Sequence, residues 1–311
     1  MASVIGLLAC LATPAFAEIT LVHNGYQHEA LFGISLDGDK GLAVGMPALL
    51  LATKDRGKSW APETIDNGGL ALLGVAVRGD HEIAVGQLGQ IYHRQGDAAW
   101  VKADSGTEER LLSVDMNESG RAVVTGGFGT ILLSQDFGAT WKKISPEWQP
   151  ILNDIAEPHV NAVSVAASGH ITVVGEFGLI MQSDDAGQSW KVMHRGEETL
   201  FGLYVDKHGR GAAVGQDGAV FVTDGWNGVW RKTPTGRTEN LLDVWVSDEG
   251  RMTVTGVRTL LIGSGWGSKW TVVDRKDVAT GWYQGVAASG EGATAVPLVV
   301  GFDARILKVG E

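Results

Sequence analysis

The stretch Val173–Trp190, VVGEFGLIMQSDDAGQSW, decides the fold, because diverged copies of it recur along the chain. Its first half is an apolar run ending at Gly175, a two-residue turn at Glu176 and Phe177, then Gly178 and a second apolar run from Leu179 to Met181. Two short apolar runs about a glycine-bearing turn read as a tight β-hairpin. The second half, Ser183 to Trp190, sets Asp185 and Gly187 in a turn where the carboxylate accepts backbone N–H bonds and glycine takes positive φ. Trp190 then starts the next strand and covers the turn.

Seven hairpin segments align: AVGMPALLL, AVGQLGQIY, VTGGFGTIL, VVGEFGLIM, AVGQDGAVF, VTGVRTLLI and VVGFDARIL. Their marker glycines, Gly45, Gly86, Gly126, Gly175, Gly215, Gly256 and Gly301, are separated by 41, 40, 49, 40, 41 and 45 residues. A period of roughly 40 to 45 is what a four-stranded propeller blade needs. The expected fold is therefore all-β, a seven-bladed β-propeller. The turn half is clear three times, with Asp55, Gly57 and Trp60, then Asp136, Gly138 and Trp141, then Asp185, Gly187 and Trp190. It is worn in three further copies that keep Trp100, Trp230 and Trp270. The spacing of these acids is that of a carboxylate bonding its own backbone, and the tryptophans read as packing between repeats, so both are expected to be structural. Each blade opens with a short apolar strand, at Leu31, Leu72, Leu111, Asn161, Leu200, Leu241 and Tyr283, expected to line the central channel.

With 311 residues, 44% of them hydrophobic, the chain can bury a large core in one closed domain, residues 18–311. The 44 glycines fall at repeating turn positions and form no low-complexity tract. A net charge of −11 opposes general affinity for nucleic acid or an anionic membrane surface. Residues 1–17, apolar and ending in Ala15-Phe16-Ala17, read as an export signal, although no Lys or Arg precedes the apolar run. The segment is too short to remain as a membrane span, and the compartment expected is the periplasm or, in a photosynthetic cell, the thylakoid lumen. Leu7-Leu8-Ala9-Cys10 offers a lipoprotein anchor as the alternative. Cys10 is the sole cysteine, so cleavage leaves no thiol for disulfides, catalysis or metal.

The last copy, VVGFDARILKVGE, lacks a turn, a tryptophan and an outer strand. The N-terminal run ITLVHNGYQHEALFGISLD resembles WKVMHRGEETLFGLYVD at Trp190–Asp206, so Ile19–His23 is expected to complete the seventh blade and remove an exposed edge.

In such a ring the hairpin tips share a face with the loops that lead into the inner strands, and the Asp turns lie on the other. The tips vary from blade to blade, which is how a repeat scaffold makes a specific surface. Phe128, Phe177, Phe302, Glu176, Gln216, Asp217, Arg258 and Arg305 are the candidate partner contacts on this face. The competing reading lays the aromatic rings over a neighbouring blade. Trp141 to Val160 spans 19 residues where most such gaps hold about 10 to 13; the extra segment carries Trp148, Pro150, Ile151 and Leu152 and is expected on the tip face as a further contact. A second insertion, around SGEGATAVP, is expected on the Asp-turn side.

VGxxGxI hairpins followed by SxDxGxxW turns, repeated over nearly the whole mature chain, resemble the photosystem II stability and assembly factor family, Asp-box (BNR-repeat) propellers of the thylakoid lumen or other exported compartments. The resemblance implies a non-enzymatic chaperone that docks on a membrane-protein assembly intermediate through an arginine-bearing patch. Arg110, Arg237, Arg258 and Arg305 are the arginines expected near one face. The N-terminus is similar to a bacterial export signal, not a chloroplast transit peptide. The Asp box alone is shared with sialidases and sorting receptors, so the alternative is a sialidase-like glycoside hydrolase or a glycan-binding propeller. A sialidase needs three convergent arginines, a tyrosine nucleophile with a glutamate base, and an aspartic acid. Only Tyr26, Tyr92, Tyr204 and Tyr283 are present, and no arginine is expected in an inner strand. The eight histidines lack metal-ligand spacing, and no glycine hairpin leads into a helix N-terminus as phosphate binding requires. The expectation is a monomeric binding module with no cofactor or metal that does not itself span the membrane.

Overall fold

The computed structural model describes residues 18–290 and 295–310. The export-signal reading of residues 1–17 and the middle of the second insertion, 291–294, lie outside these residues. The described chain forms seven antiparallel four-stranded sheets arranged as a β-propeller. Blade 4 shows the unit: Val160–Val165, Ile171–Gly175, Ile180–Ser183 and Lys191–His194, from channel to rim. Three second strands, Ala122–Gly126, Ile171–Gly175 and Met252–Gly256, are buried along their whole length, and the other four are buried except at their ends. Both faces of each sheet are covered by neighbouring blades, so burial does not alternate along these strands, and even Thr125, Thr172, Thr253 and Thr255 are buried. Outer strands such as Lys142–Lys143 and Arg231–Lys232 are short and exposed.

The core is divided into seven clusters, each lying between two neighbouring blades. Between blades 3 and 4, for example, Val123, Ile131 and Ile144 meet Val163, Val173 and Met181, with Trp190 packed against them. Trp60, Trp100, Trp141, Trp230 and Trp270 hold the same place at five other interfaces. The seventh interface, between blades 6 and 7, has no turn tryptophan, and Ile19 packs there instead.

Ile19–His23 is the outer strand of blade 7, pairing antiparallel with Ile306–Val309 through Ile19↔Val309, Thr20↔Lys308 and Leu21↔Leu307. Gly310 N–H donates to Glu18 O at 2.6 Å, and the Arg275 guanidinium donates to Ile19 O at 2.5 Å. The ring is thus closed by segments from the two ends of the described residues, which bond to each other and are clamped by a side chain.

The hairpin after six of the seven marker glycines has three residues where two are expected from the sequence: Gly175 N–H donates to Leu179 O, leaving Glu176, Phe177 and Gly178 between the paired residues, whereas in blade 6 Thr255 pairs with Leu260 and only Val257 and Arg258 form the turn. Every inner strand carries a register shift at its start, for example between Val160 and Ala162. This bulge brings the carbonyl just before or at the start of the inner strand onto the marker glycine. A Cβ on any of the seven glycines would lie 1.8 to 2.6 Å from that oxygen, so no other residue fits.

Candidate functional site: the hairpin-tip face

The two faces of the ring are built by different chemistry. On one, Asp185 accepts from Ser189 N–H at 2.9 Å and from Ser189 Oγ at 2.6 Å, while Ser183 Oγ donates to the same carboxylate and accepts from Gly187 N–H. Asp55 and Asp136 repeat the arrangement with Ser59 and Thr140. The Ser59 and Ser189 hydroxyls, followed by the backbone N–H groups of the same residues, hold Asp55 and Asp185 down at about 2. Gly57, Gly138 and Gly187 take φ of +74°, +89° and +79° in these turns. The tryptophan indoles donate to nearby carbonyls: Trp60 to Gly57, Trp141 to Gly138, and Trp190 across the interface to Ile144. The donors around these carboxylates all come from within their own turns.

On the opposite face, the second residue after six of the seven marker glycines has positive φ: Leu88, Phe128, Phe177, Asp217, Arg258 and Asp303 lie between +48° and +60°, while blade 1 has Pro47 there and takes positive φ one residue later, at Ala48. None is glycine, although glycine suits this region best. The conformation turns the side chain away from the blade; Phe128 is 56% and Phe177 39% exposed, and Asp217 and Arg258 are exposed as well. The residue before them does a different job. Glu176 accepts from His159 N–H at 2.7 Å and Gln216 from Thr199 N–H at 2.8 Å, as Gln87 does from Ala71. Glu176 and Gln216, expected as partner contacts, are therefore engaged in fastening the tip to its own inner strand.

Three further expectations change. Trp148 opens helix α1 (Trp148–Leu152) on the tip face as expected, but it is only 6% exposed, with its indole donating to Gly129 O and its ring packed in the blade 3–4 core. Arg195 caps the same helix through the Ile151 and Leu152 carbonyls. The large apolar residue this insertion presents to solvent is Ile155, 87% exposed. Phe302 is neither a free contact nor laid over a neighbouring blade: it lies over its own blade's core, edge-on to Tyr283 at 5.6 Å. Arg78 ends the inner strand Leu72–Arg78, lines the channel and pairs with Asp115 at 3.4 Å, so the inner strands are not free of arginine.

A groove absent from the sequence reading lies beside blade 7. Helix α2 (Lys276–Thr280) contributes Lys276, Asp277 and Thr280, and Arg275, Phe302, Asp303 and Arg305 complete the walls. Arg275 grips Asp277 with two nitrogens at 2.9 and 2.7 Å. Arg305 stacks 4.6 Å over the Phe302 ring, donates to Asn24 and pairs with Asp303 at 3.3 Å. Arg258 stands beside the groove, its backbone N–H on Gly281 O, and among the described residues its guanidinium forms no ion pair. Four cations thus gather in a chain of net charge −11. Arg110 and Arg237 lie away from this groove, Arg110 beside the blade 3 tip, where its carbonyl accepts from Gly127 N–H, and Arg237 paired with Glu239 beside the blade 5 tip. The RKD run at 275–277 is the signal in the sequence for this groove.

Inside the channel, Asp115 and Asp243 each tie adjacent blades, accepting from Val165 N–H at 2.7 Å and Val286 N–H at 2.9 Å. Desolvation pushes Asp243 up to about 7 against two backbone donors that lower it. Tyr204 lines the channel with its hydroxyl raised by burial to about 12, whereas Tyr283 is fully buried in the core.

A closed ring of seven four-stranded blades, stapled by Asp boxes on one face and variable at the tips on the other, defines an Asp-box β-propeller. Within that class, residues 92–233 match the family model described as photosynthesis system II assembly factor YCF48, and the family resemblance carried by the hairpins and turns is thereby shown. None of the curated proteins matches the sequence. The fold is similar to that of YCF48 bound to D1 peptide, with a TM-score of 0.73 and 18% identity over 96% of this chain and 98% of that one. It is equally similar to YCF48 from Cyanidioschyzon merolae, with a TM-score of 0.74 and 17% identity over 94% and 98%. The GH74 xyloglucanase from Xanthomonas campestris shares the fold at a TM-score of 0.72 and 16% identity, over 93% of this chain and 53% of that one. At these identities the likeness concerns the fold alone. Among the described residues no helix is long and apolar enough to cross a membrane.

Proposed function

We propose that the protein is a non-enzymatic assembly factor that holds a segment of a membrane-protein complex on its hairpin-tip face, a photosystem II subunit where the producing cell is photosynthetic. The observation that carries the reading is the cationic groove of Arg258, Arg275, Lys276 and Arg305 on the variable face of an acidic propeller of this family. With Arg275 and Arg305 paired to Asp277 and Asp303, the charges of Arg258 and Lys276 attract an anionic segment there, and screening over about 8 Å at physiological salt confines the attraction to the groove. One similar structure, YCF48 bound to D1 peptide, is in keeping with a peptide as ligand. The hydrolase alternative gains little from the channel: Tyr283 is buried, the Tyr204 hydroxyl is held far from its anion, and Arg78 is engaged by Asp115. Export through residues 1–17, and action as a monomer in the periplasm or thylakoid lumen, belong to the same proposal.

The test is complementation. Cells lacking the protein should accumulate less of one membrane complex on native gels, restored by the native chain and not by an Arg258→Glu, Lys276→Glu variant of equal thermal stability. Full restoration by that variant overturns the proposal.

A further inference from the structure

The tip face carries a second, chemically opposite surface across the channel mouth from the cationic groove. Phe128 and Phe177 stand at the tips of blades 3 and 4; the His159 ring lies 5.3 Å from Phe128, and its Nδ1 is 3.2 Å from Glu176, the residue before Phe177. Both phenylalanines hold positive φ, +48° and +60°, where a non-glycine residue is strained. The Phe177 tip is fixed to the next loop by Gly196 N–H on Phe177 O and Gly178 N–H on Glu198 O. That loop walls a groove formed by Glu197, Glu198, Gln216, Asp217 and Lys232. Lys232 pairs with Glu198, whereas Glu197 and Asp217 are exposed and form no ion pair among the described residues. Exposed rings next to unpaired carboxylates suit neither an anionic lipid surface nor a nucleic acid, which the acids repel.

Resting on the assembly-factor reading, we propose that Phe128 and Phe177, with the acidic groove of Glu197 and Asp217, form a second docking point for a partner segment with an apolar centre and basic flanks. Blades 3 and 4 lie opposite blade 7 in a seven-fold ring. A partner is therefore held at two places of opposite charge on either side of the channel, and this fixes its direction across the face.

The test uses the purified protein with two synthetic twelve-residue peptides, one of alternating lysine with leucine and phenylalanine, the other with glutamate in place of lysine. Binding is read by fluorescence anisotropy at physiological salt. The variant Phe128→Gly, Phe177→Gly removes the rings while placing glycine where the backbone favours it, so its thermal midpoint should stay within a few degrees of the native one. It should bind the lysine peptide at least tenfold more weakly, and Arg258→Glu, Lys276→Glu should leave that affinity unchanged. Equal binding by the glycine variant assigns the attraction to net charge and overturns the proposal, as does absence of binding to the native protein. A dimer in sedimentation that both variants disperse assigns the patch to a second copy and overturns it too. Failure of the glutamate peptide alone counts against the cationic groove and leaves the second docking point standing.

Discussion

At Gly175 a Cβ would sit 2.2 Å from His159 O, a backbone atom that the inner-strand bulge holds in place. Gly175→Ala is therefore expected to cost about 3 kcal/mol, measured by denaturant unfolding, because relief requires the bulge to shift. The sequence marks this position seven times but hides the reason, since the clashing atom belongs to a strand some fifteen residues earlier. The carboxylates divide by environment in a similar way. Asp55 and Asp185, lowered to about 2, contribute stability that is present above their unfolded value of 3.8 and lost as pH falls towards 2. Asp243, raised to about 7, works in the opposite sense: its contribution is full below its unfolded value of 3.8 and lost as pH rises through 7. Thermal midpoints of Asp243→Asn should therefore decline less between about pH 4 and 7 than those of the native chain; parallel curves would show that Asp243 does not titrate there. The Asp boxes were legible because their bonds lie within eight residues of sequence. Asp243 was not, because its partner, Val286, lies in the next blade.

At the scale of strands and helices, closure depends on Ile19–His23, whose removal exposes the edge of Ile306–Val309 and uncovers the one interface without a turn tryptophan. Deleting residues 19–24 should lower the melting temperature markedly and broaden the transition; a truncated chain melting with the native one would refute this role. Trp190 spans an interface of the same kind. Trp190→Ala should cost about 3 kcal/mol by loss of packing against Ile144 and Met181, with no change in partner binding, since it faces away from the tips. The closing strand was legible because Ile19–Asp37 repeats the pattern of an outer strand followed by an inner one. Helix α1 was legible as an insertion and placed on the correct face, but not as a lid on the core: apolar content alone does not tell Trp148, which enters the core, from Ile155, which stays in solvent. Helix α2 escaped notice because its gap, Trp270 to Tyr283, is of ordinary length.

For the whole molecule, the ring separates stability from recognition. Local carboxylate turns and tryptophans fasten the blades on one side, and on the other the strained tip position carries leucine, phenylalanine, aspartate or arginine from blade to blade without altering the scaffold. Phe128 and Phe177 lie on one side of the channel mouth, and Arg258 with the α2 groove lies on the other, so the same face offers aromatic-acidic and cationic ground to one partner. The measurement that bears most directly on this account is a pull-down from solubilised membranes of the producing cell, with captured chains identified by mass spectrometry. The native protein should retain one membrane-protein complex or its assembly intermediate, and the variant Phe128→Ala, Phe177→Ala, Arg258→Ala, matched in thermal stability, should not. Capture of nothing by the native protein, or of the same complex in equal amount by the variant, would contradict it.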